Sequence, residues 1–162
     1  MHPTEINRIR NEIRRLVLAA ADMRLAADGA RALARNSSSP HARLIEIGVF
    51  VAYCRSFSGP PRPGLEPRTE VDTLAPENST LHGIIFRVRS KLFAHTDDDY
   101  VYRREARDPF GEHSHSEEYS DLNPDFLEEL SRLADGNRER FIAAQREREQ
   151  ALRDAGVPPG PY

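Results

Sequence analysis

The chain has 162 residues, one cysteine and a formal net charge of -3, and its length suits a single domain. One cysteine excludes a disulfide framework and a cysteine-rich zinc site. No apolar run reaches the roughly 18 residues that a transmembrane helix needs, and the N-terminal segment lacks the apolar core of a signal peptide. We therefore expect one cytoplasmic domain over residues 1–155, no membrane contact and a frayed tail over 156–162.

Charge is distributed unevenly along the chain. Residues 1–62 contain ten Arg and five acidic residues, whereas residues 97–129 contain twelve acidic residues and three Arg. The basic N-terminal part is either a set of solvated helix faces or a surface that attracts phosphate groups. The charge pattern alone leaves both interpretations open.

The first 35 residues predict one long amphipathic helix. Thr4 can cap its N-terminus, and Glu5 favours the positive end of the helix. The apolar residues that recur at spacings of three and four are Ile6, Ile9, Ile13, Leu16, Val17, Ala20, Met23 and Ala27. Because this spacing gives a single stripe at about 100° per residue, we expect a helix over 4–35, loosened near Gly29.

Residues 44–57 predict a second helix that is apolar on nearly every face. Ser39 is its expected N-cap, followed by Pro40 at the first position. A helix without a polar face is typical of the buried centre of a bundle. We expect Gly48 to mark a close helix contact and Cys54 to pack as a small apolar side chain.

A Pro-rich segment separates the second helix from the third. Residues 58–76 contain five Pro and two Gly, which predicts a long irregular connection. The third helix is expected to begin near Glu77 or Asn78 and to end near His95. Its apolar stripe consists of Leu81, Ile84, Ile85, Val88 and Leu92.

The C-terminal part combines an acidic segment with a last helix. Residues 98–123 predict either an irregular insert or a short β-hairpin, because Tyr and Val alternate at 100–102 and a turn pattern follows. Asn123 before a Pro predicts the start of the last helix, which Gly136 could interrupt. The four predicted helices indicate an all-α fold, an antiparallel four-helix bundle.

The third helix carries the strongest local signal for function. Arg87, Lys91 and His95 recur every four residues and share one face, and Arg89 lies six residues before His95. A His can exchange a proton with a ribose 2′-OH or a leaving oxygen, and an Arg can hold the charge that develops on a phosphate. The cluster permits phosphodiester cleavage without a metal, whereas a solvated face that ends in a His would give the same pattern.

The segment RSKLFAH, residues 89–95, resembles the Arg-x4–6-His motif of HEPN domains, which are antiparallel helical bundles. The resemblance maps Arg89 to the motif Arg and His95 to the motif His, with Lys91 between them. The predicted elements also follow the order found in HEPN domains: a long first helix, an apolar second helix, a variable loop, the motif helix and a C-terminal helix. The chain departs from the family at Ser90, where Asn, Asp or His is frequent.

The resemblance implies a function. Active HEPN proteins are metal-independent endoribonucleases that act as dimers, often in antiphage or toxin systems, and others are binding or scaffold modules. It implies that Arg89 and His95 are catalytic, and we assign phosphate binding to Lys91 and Arg87, with no cofactor. The expected partners are a second copy, an RNA substrate and a protein such as an antitoxin. The alternative is a non-catalytic HEPN-like module that binds a nucleotide, RNA or a protein.

Other candidate residues carry weaker signals. His113 and His115 lie among three Glu, but a His-x-His in an acidic loop lacks a defined ligand geometry, so we expect no metal there. Tyr53 and Arg55 are expected to pack or hydrogen-bond beneath the motif helix. His82 is expected to be structural or exposed.

Overall fold

The computed structural model describes residues 1–36, 40–57, 80–93, 123–158 and 160. Four α-helices account for nearly all of these residues, and we number them in chain order. They are α1 (Pro3–Arg35), α2 (Ala42–Phe57), α3 (Thr80–Phe93) and α4 (Pro124–Asp154). No strand occurs among the described residues, which confirms the all-α prediction for this part of the chain. None of these helices combines the length and apolar character needed to cross a membrane.

Several predictions lie outside the described residues. They concern the Pro-rich loop over 58–76, the acidic insert or β-hairpin over 98–123, and the N-cap role of Ser39. The predicted start of the third helix at Glu77 or Asn78 and its end near His95 also lie there. The structure describes that helix from Thr80 to Phe93.

The two long helices, α1 and α4, pack side by side in antiparallel orientation. Arg31 near the C-terminus of α1 forms an ion pair with Asp135 in the first third of α4. At the other end, the Glu12 carboxylate lies 3.9 Å from Nε of Arg148. A small apolar cluster of Ile9, Ile13 and Leu152 packs between α1 and α4 at this same end.

The C-terminal half of α1 also packs against α2, and a glycine sets their separation. A Cβ atom placed on Gly29 would lie 2.6 Å from Cγ2 of Val49, closer than two carbon atoms can approach. The close contact expected at Gly48 is wrong, because Gly48 is exposed and has no atom within 4 Å of its Cβ position. Gly29 does not interrupt α1, which runs unbroken through it.

Helix ends agree with the predictions in part. Asn123 caps α4, since its Oδ1 accepts a hydrogen bond of 2.7 Å from the backbone N–H of Phe126. Thr4 does not cap α1: the helix begins at Pro3, and Nδ1 of His2 accepts from the Thr4 N–H at 3.3 Å. The α2 helix begins at Ala42, two residues after Pro40.

The core lies where α1, α2 and α4 meet. Its largest fully buried side chains include Leu16, Met23, Phe50, Tyr53, Leu130 and Phe141. Small alanines on α1 line the same face and allow neighbouring helices to come close. Most of the second half of α2 is buried as predicted. In its first half Glu46 and Val49 are buried, whereas Leu44 retains 69 % of its accessible surface, so the helix is not buried on every face.

The chain turns back against α1 after α4 ends. Gly156 has a φ of 73°, a conformation that glycine adopts without strain. Val157 then packs on Ile9, Ile13 and Leu152, and Nη2 of Arg10 lies 3.4 Å from the carbonyl oxygen of Pro158. Val157 and Pro158 of the expected frayed tail therefore contact α1.

Candidate functional site

The C-terminal half of α3 carries the described part of the predicted motif. Arg87 is exposed and Arg89 is half-buried. The two residues differ because a separation of two positions in a helix turns their side chains roughly 200° apart around its axis. Lys91 lies within α3, but its side chain and the whole of His95 lie outside what the structure describes. Of the four predicted site residues, the described part of the chain therefore locates the side chains of two, on different sides of one helix.

Arg89 lies on the side of α3 that is closer to α2. Burial raises the pKa of the Cys54 thiol to about 12, and the positive charge of Arg89 acts in the opposite direction by favouring the thiolate. Cys54 itself is fully buried and directs Sγ toward the backbone oxygen of Ile85 at 3.9 Å. Among the described residues, none forms a hydrogen bond or ion pair with Arg89.

A polar network in the core joins α3 to the two helices beneath it. The hydroxyl of Tyr53 lies 2.9 Å from Nδ1 of His82 on α3 and 3.3 Å from Nδ2 of Asn137 on α4. Because the amide of Asn137 donates to the Tyr53 oxygen, the Tyr53 proton is left for His82. In this arrangement Nδ1 of His82 accepts the hydrogen bond, and the neutral imidazole carries its proton on Nε2.

Burial keeps both aromatic partners of this network neutral. It raises the pKa of Tyr53 above its ordinary value, and the hydrogen bond from Asn137 acts against that rise. Burial lowers the pKa of His82 below 6.5. A neutral imidazole at pH 7 is the form that accepts the Tyr53 proton, so the protonation state and the geometry agree.

Aromatic rings surround His82 and account for its desolvation. The Phe57 ring meets the imidazole edge-on with centroids 4.9 Å apart, and the Phe86 centroid lies at 4.8 Å. Phe57 also contacts Phe141 of α4 at 5.7 Å. These contacts occur in the N-terminal half of α3, so the bundle holds this half while Arg89 lies one to two turns further along.

The structure separates the two α2 residues that were expected to support the motif. Tyr53 does hydrogen-bond to α3, but at His82, in the helix half that precedes the motif. Arg55 instead pairs with Asp22 of α1: Nε lies 2.8 Å from Oδ2, and Nη2 contacts Oδ1. This bidentate pair joins α1 to α2.

Five polar residues are buried in the described part of the chain, and the sequence analysis predicted none of them; two are Asp22 and Asn137. Asp22 interrupts the apolar face of α1, and Asn137 follows the glycine that was expected to break α4; both are buried. A polar residue on the buried face of a predicted helix needs a partner, and that rule could have singled out both. The α4 helix continues through Gly136, so Asn137 can reach Tyr53.

Within the described ranges, no group of three or more His, Cys, Asp or Glu side chains could hold a metal ion. His113 and His115 lie outside those ranges.

Comparison of the chain with protein-family models, with curated proteins and with solved structures finds no match in any of the three. The resemblance to HEPN domains therefore depends on the motif and on the order of the helices.

Proposed function

We propose that the protein is a metal-independent endoribonuclease of HEPN type, with Arg89 and His95 as its catalytic residues. One observation supports this function most directly. Arg89 is half-buried on α3 and pairs with no other described residue, while the preceding turns of α3 are held by Tyr53. A guanidinium on a supported helix is suited to hold a phosphate, because its planar fork donates two parallel hydrogen bonds.

The chemistry follows from the two residue types. His95 accepts the proton of a ribose 2′-OH, whose oxygen attacks the adjacent phosphorus, and a protonated His donates to the leaving 5′-oxygen. Arg89 binds the phosphate oxygens with two parallel N–H bonds and stabilises the charge that develops on them. The products are a 2′,3′-cyclic phosphate and a 5′-OH, so DNA, which lacks the 2′-OH, is not a substrate.

Assembly and surroundings belong to the same proposal. A homodimer in which two α3 helices meet supplies two His and at least two Arg to one site, and Lys91 and Arg87 attract the RNA backbone. No metal or cofactor takes part in this mechanism. A cytoplasmic toxin or antiphage system, with an antitoxin-like protein partner, is the setting that the HEPN resemblance implies.

Cleavage of labelled single-stranded RNA in the presence of a chelator tests the proposal. We expect Arg89→Ala to reduce the rate by on the order of 10²- to 10³-fold and His95→Ala by about 10²- to 10⁴-fold. The matched control is Arg132→Ala, which removes an Arg that is 73 % exposed on α4. Equal cleavage by all four proteins would reject the assignment, as would activity that requires a divalent ion.

A non-catalytic HEPN-like module that binds a nucleotide, RNA or protein is the second candidate. Ser90 at the position after the motif Arg and the excess of acidic residues over 97–129 favour it. Binding of RNA by the wild type without cleavage, and weaker binding by Arg89→Ala, would identify this function instead.

A further inference from the structure

The outside of α1 carries a second regular line of side chains, separate from its core face. We call it the outer stripe, and its members are Arg14, Leu18, Ala21, Leu25, Asp28 and Ala32. Successive members are four or three residues apart, which keeps them on one side of the helix as in a heptad repeat. All six are exposed, and Leu18 and Leu25 retain 60 % and 61 % of their accessible surface.

The two leucines are unusual within the described part of the protein. Only four large hydrophobic residues are exposed there, and two of them are Leu18 and Leu25. They lie seven residues apart on one line of one helix, whereas Leu44 lies on α2 and Met1 at the N-terminus. Regularly spaced exposed apolar residues on a helix are the pattern that a packing partner covers.

The outer stripe is complementary to itself when one copy is reversed. Leu18 and Leu25 lie at nearly equal distances on either side of Ala21. The two ends of the outer stripe carry opposite charges. The positively charged Arg14 lies four residues before Leu18, and the negatively charged Asp28 lies three residues after Leu25. In an antiparallel pair centred near Ala21, each Leu18 meets Leu25 of the second copy, and each Arg14 approaches Asp28 of the second copy.

We propose that the outer stripe is a two-fold contact between two copies of this chain, with their α1 helices antiparallel. An isologous contact requires one patch that is complementary to its own reversed copy, and the apolar spacing and the terminal charges both satisfy that requirement. Ala21 at the centre allows the two backbones to come close. A partner of different sequence would require neither this symmetry nor the opposite charges.

The charged ends are available for this contact. The Asp28 carboxylate lies 3.1 Å from Nη1 of Arg31 and 3.6 Å from Nε of Arg24 in its own helix. Its side chain is 61 % exposed, so a further cation can reach it. Arg14 forms no hydrogen bond or ion pair with another described residue. The proposal is independent of the ribonuclease function, because α3 packs on α2 and contributes nothing to the outer stripe.

Sedimentation velocity over a range of protein concentrations tests the contact through charge exchange. Arg14→Asp places two carboxylates opposite each other, and Asp28→Arg places two guanidinium groups opposite each other. Because each change occurs twice in a two-fold pair, we expect either one to raise the dissociation constant at least tenfold. The double variant Arg14→Asp with Asp28→Arg restores the attraction and is expected to recover most of the wild-type association.

A second pair of variants tests the apolar part. Leu25→Glu is expected to remove the association step that the outer stripe mediates and to leave any pairing through α3 in place. Leu44→Glu, which changes an equally exposed leucine on α2, is expected to leave both unchanged. Circular dichroism checks that each variant remains helical. If Leu25→Glu sediments with the same mass as the wild type, the copies associate through another surface such as α3, and the proposal is overturned. A wild type that stays monomeric at high micromolar concentration would also overturn it, as would a double variant no better than the single ones.

Discussion

The Tyr53 hydroxyl lies 2.9 Å from Nδ1 of His82, and this bond fastens α3 to the rest of the bundle. The same oxygen accepts from Nδ2 of Asn137 at 3.3 Å, so one hydroxyl group connects three helices. His82 lies among aromatic rings and Asn137 is buried in the core, and an unpaired polar atom is costly in such surroundings. The position of α3, and with it the position of Arg89, depends on this network.

Replacement of Tyr53 by Phe is expected to lower the free energy of unfolding by about 1 to 3 kcal/mol. The change keeps the ring but removes the partner that Nδ1 of His82 and Nδ2 of Asn137 share, and leaving buried polar groups without that partner carries a desolvation cost. Urea denaturation measures the effect. In a double-mutant cycle with Asn137→Ala, a coupling energy of about 0.5 kcal/mol or more confirms the network, and strict additivity contradicts it.

The network also predicts how stability depends on pH. Burial lowers the pKa of His82 in the folded chain below 6.5, so the unfolded chain binds the proton more tightly. This contribution to stability is fully present above pH 6.5 and decreases as the pH falls through that value toward the lower pKa of the folded chain.

Urea denaturation between pH 5 and 8 measures this dependence. We expect His82→Gln to reduce the loss of stability on the acid side, because the group that titrates is gone. The control is Arg132→Ala, which removes an exposed side chain on α4 and should keep the wild-type pH profile. An identical profile in His82→Gln and the wild type contradicts the assignment.

The sequence allowed the helices to be predicted because the apolar spacing is regular. The core stripe of α1 and the Asn123 cap of α4 both agree with the structure. The position of the close contact between α1 and α2 was not predictable, since Gly29 and Gly48 look alike as isolated glycines in helical patterns. Only the packing of the two helices decides which one faces Val49.

The candidate site was predictable to a smaller degree. Local spacing correctly grouped Arg87 and Arg89 on one helix, and chemistry singled out the residue types. The sequence gives no indication that Tyr53 hydrogen-bonds to His82 and Asn137, because these three residues come from separate helices. Long-range polar contacts leave no periodic signal in a single sequence.

The two glycines provide a matched pair of substitutions. Gly29→Ala adds a methyl group 2.6 Å from Cγ2 of Val49, and this overpacking is expected to cost about 1 to 3 kcal/mol. Gly48→Ala adds the same group where no atom lies within 4 Å and is expected to stabilise α2 by up to about 1 kcal/mol. Thermal unfolding of both variants measures the difference, and equal effects would contradict the close contact at Gly29.

Cys54 reports on the opening of the contact between α2 and α3. Its thiol is fully buried, and its pKa is raised to about 12, so little thiolate exists at pH 8 and the folded protein is expected to react very slowly with a thiol reagent. Because Cys54 is the single cysteine, the reaction is read directly from the mass of the intact chain. Tyr53→Phe is expected to accelerate labelling, whereas the surface variant Arg132→Ala should not. Rapid labelling of the folded wild type contradicts the burial of Cys54.

Arg89→Lys separates the geometry of the guanidinium from its charge. A Lys keeps the positive charge but lacks the planar fork that binds two phosphate oxygens, so we expect RNA cleavage to remain near the level of Arg89→Ala. The free energy of unfolding should stay close to that of the wild type, since no hydrogen bond or ion pair with another described residue is lost. Arg132→Lys, on the exposed face of α4, is the control and should cleave normally.

Full activity in Arg89→Lys would mean that a point charge suffices and that Arg89 attracts RNA without binding the scissile phosphate. A large loss of stability would instead assign Arg89 a structural role between α2 and α3.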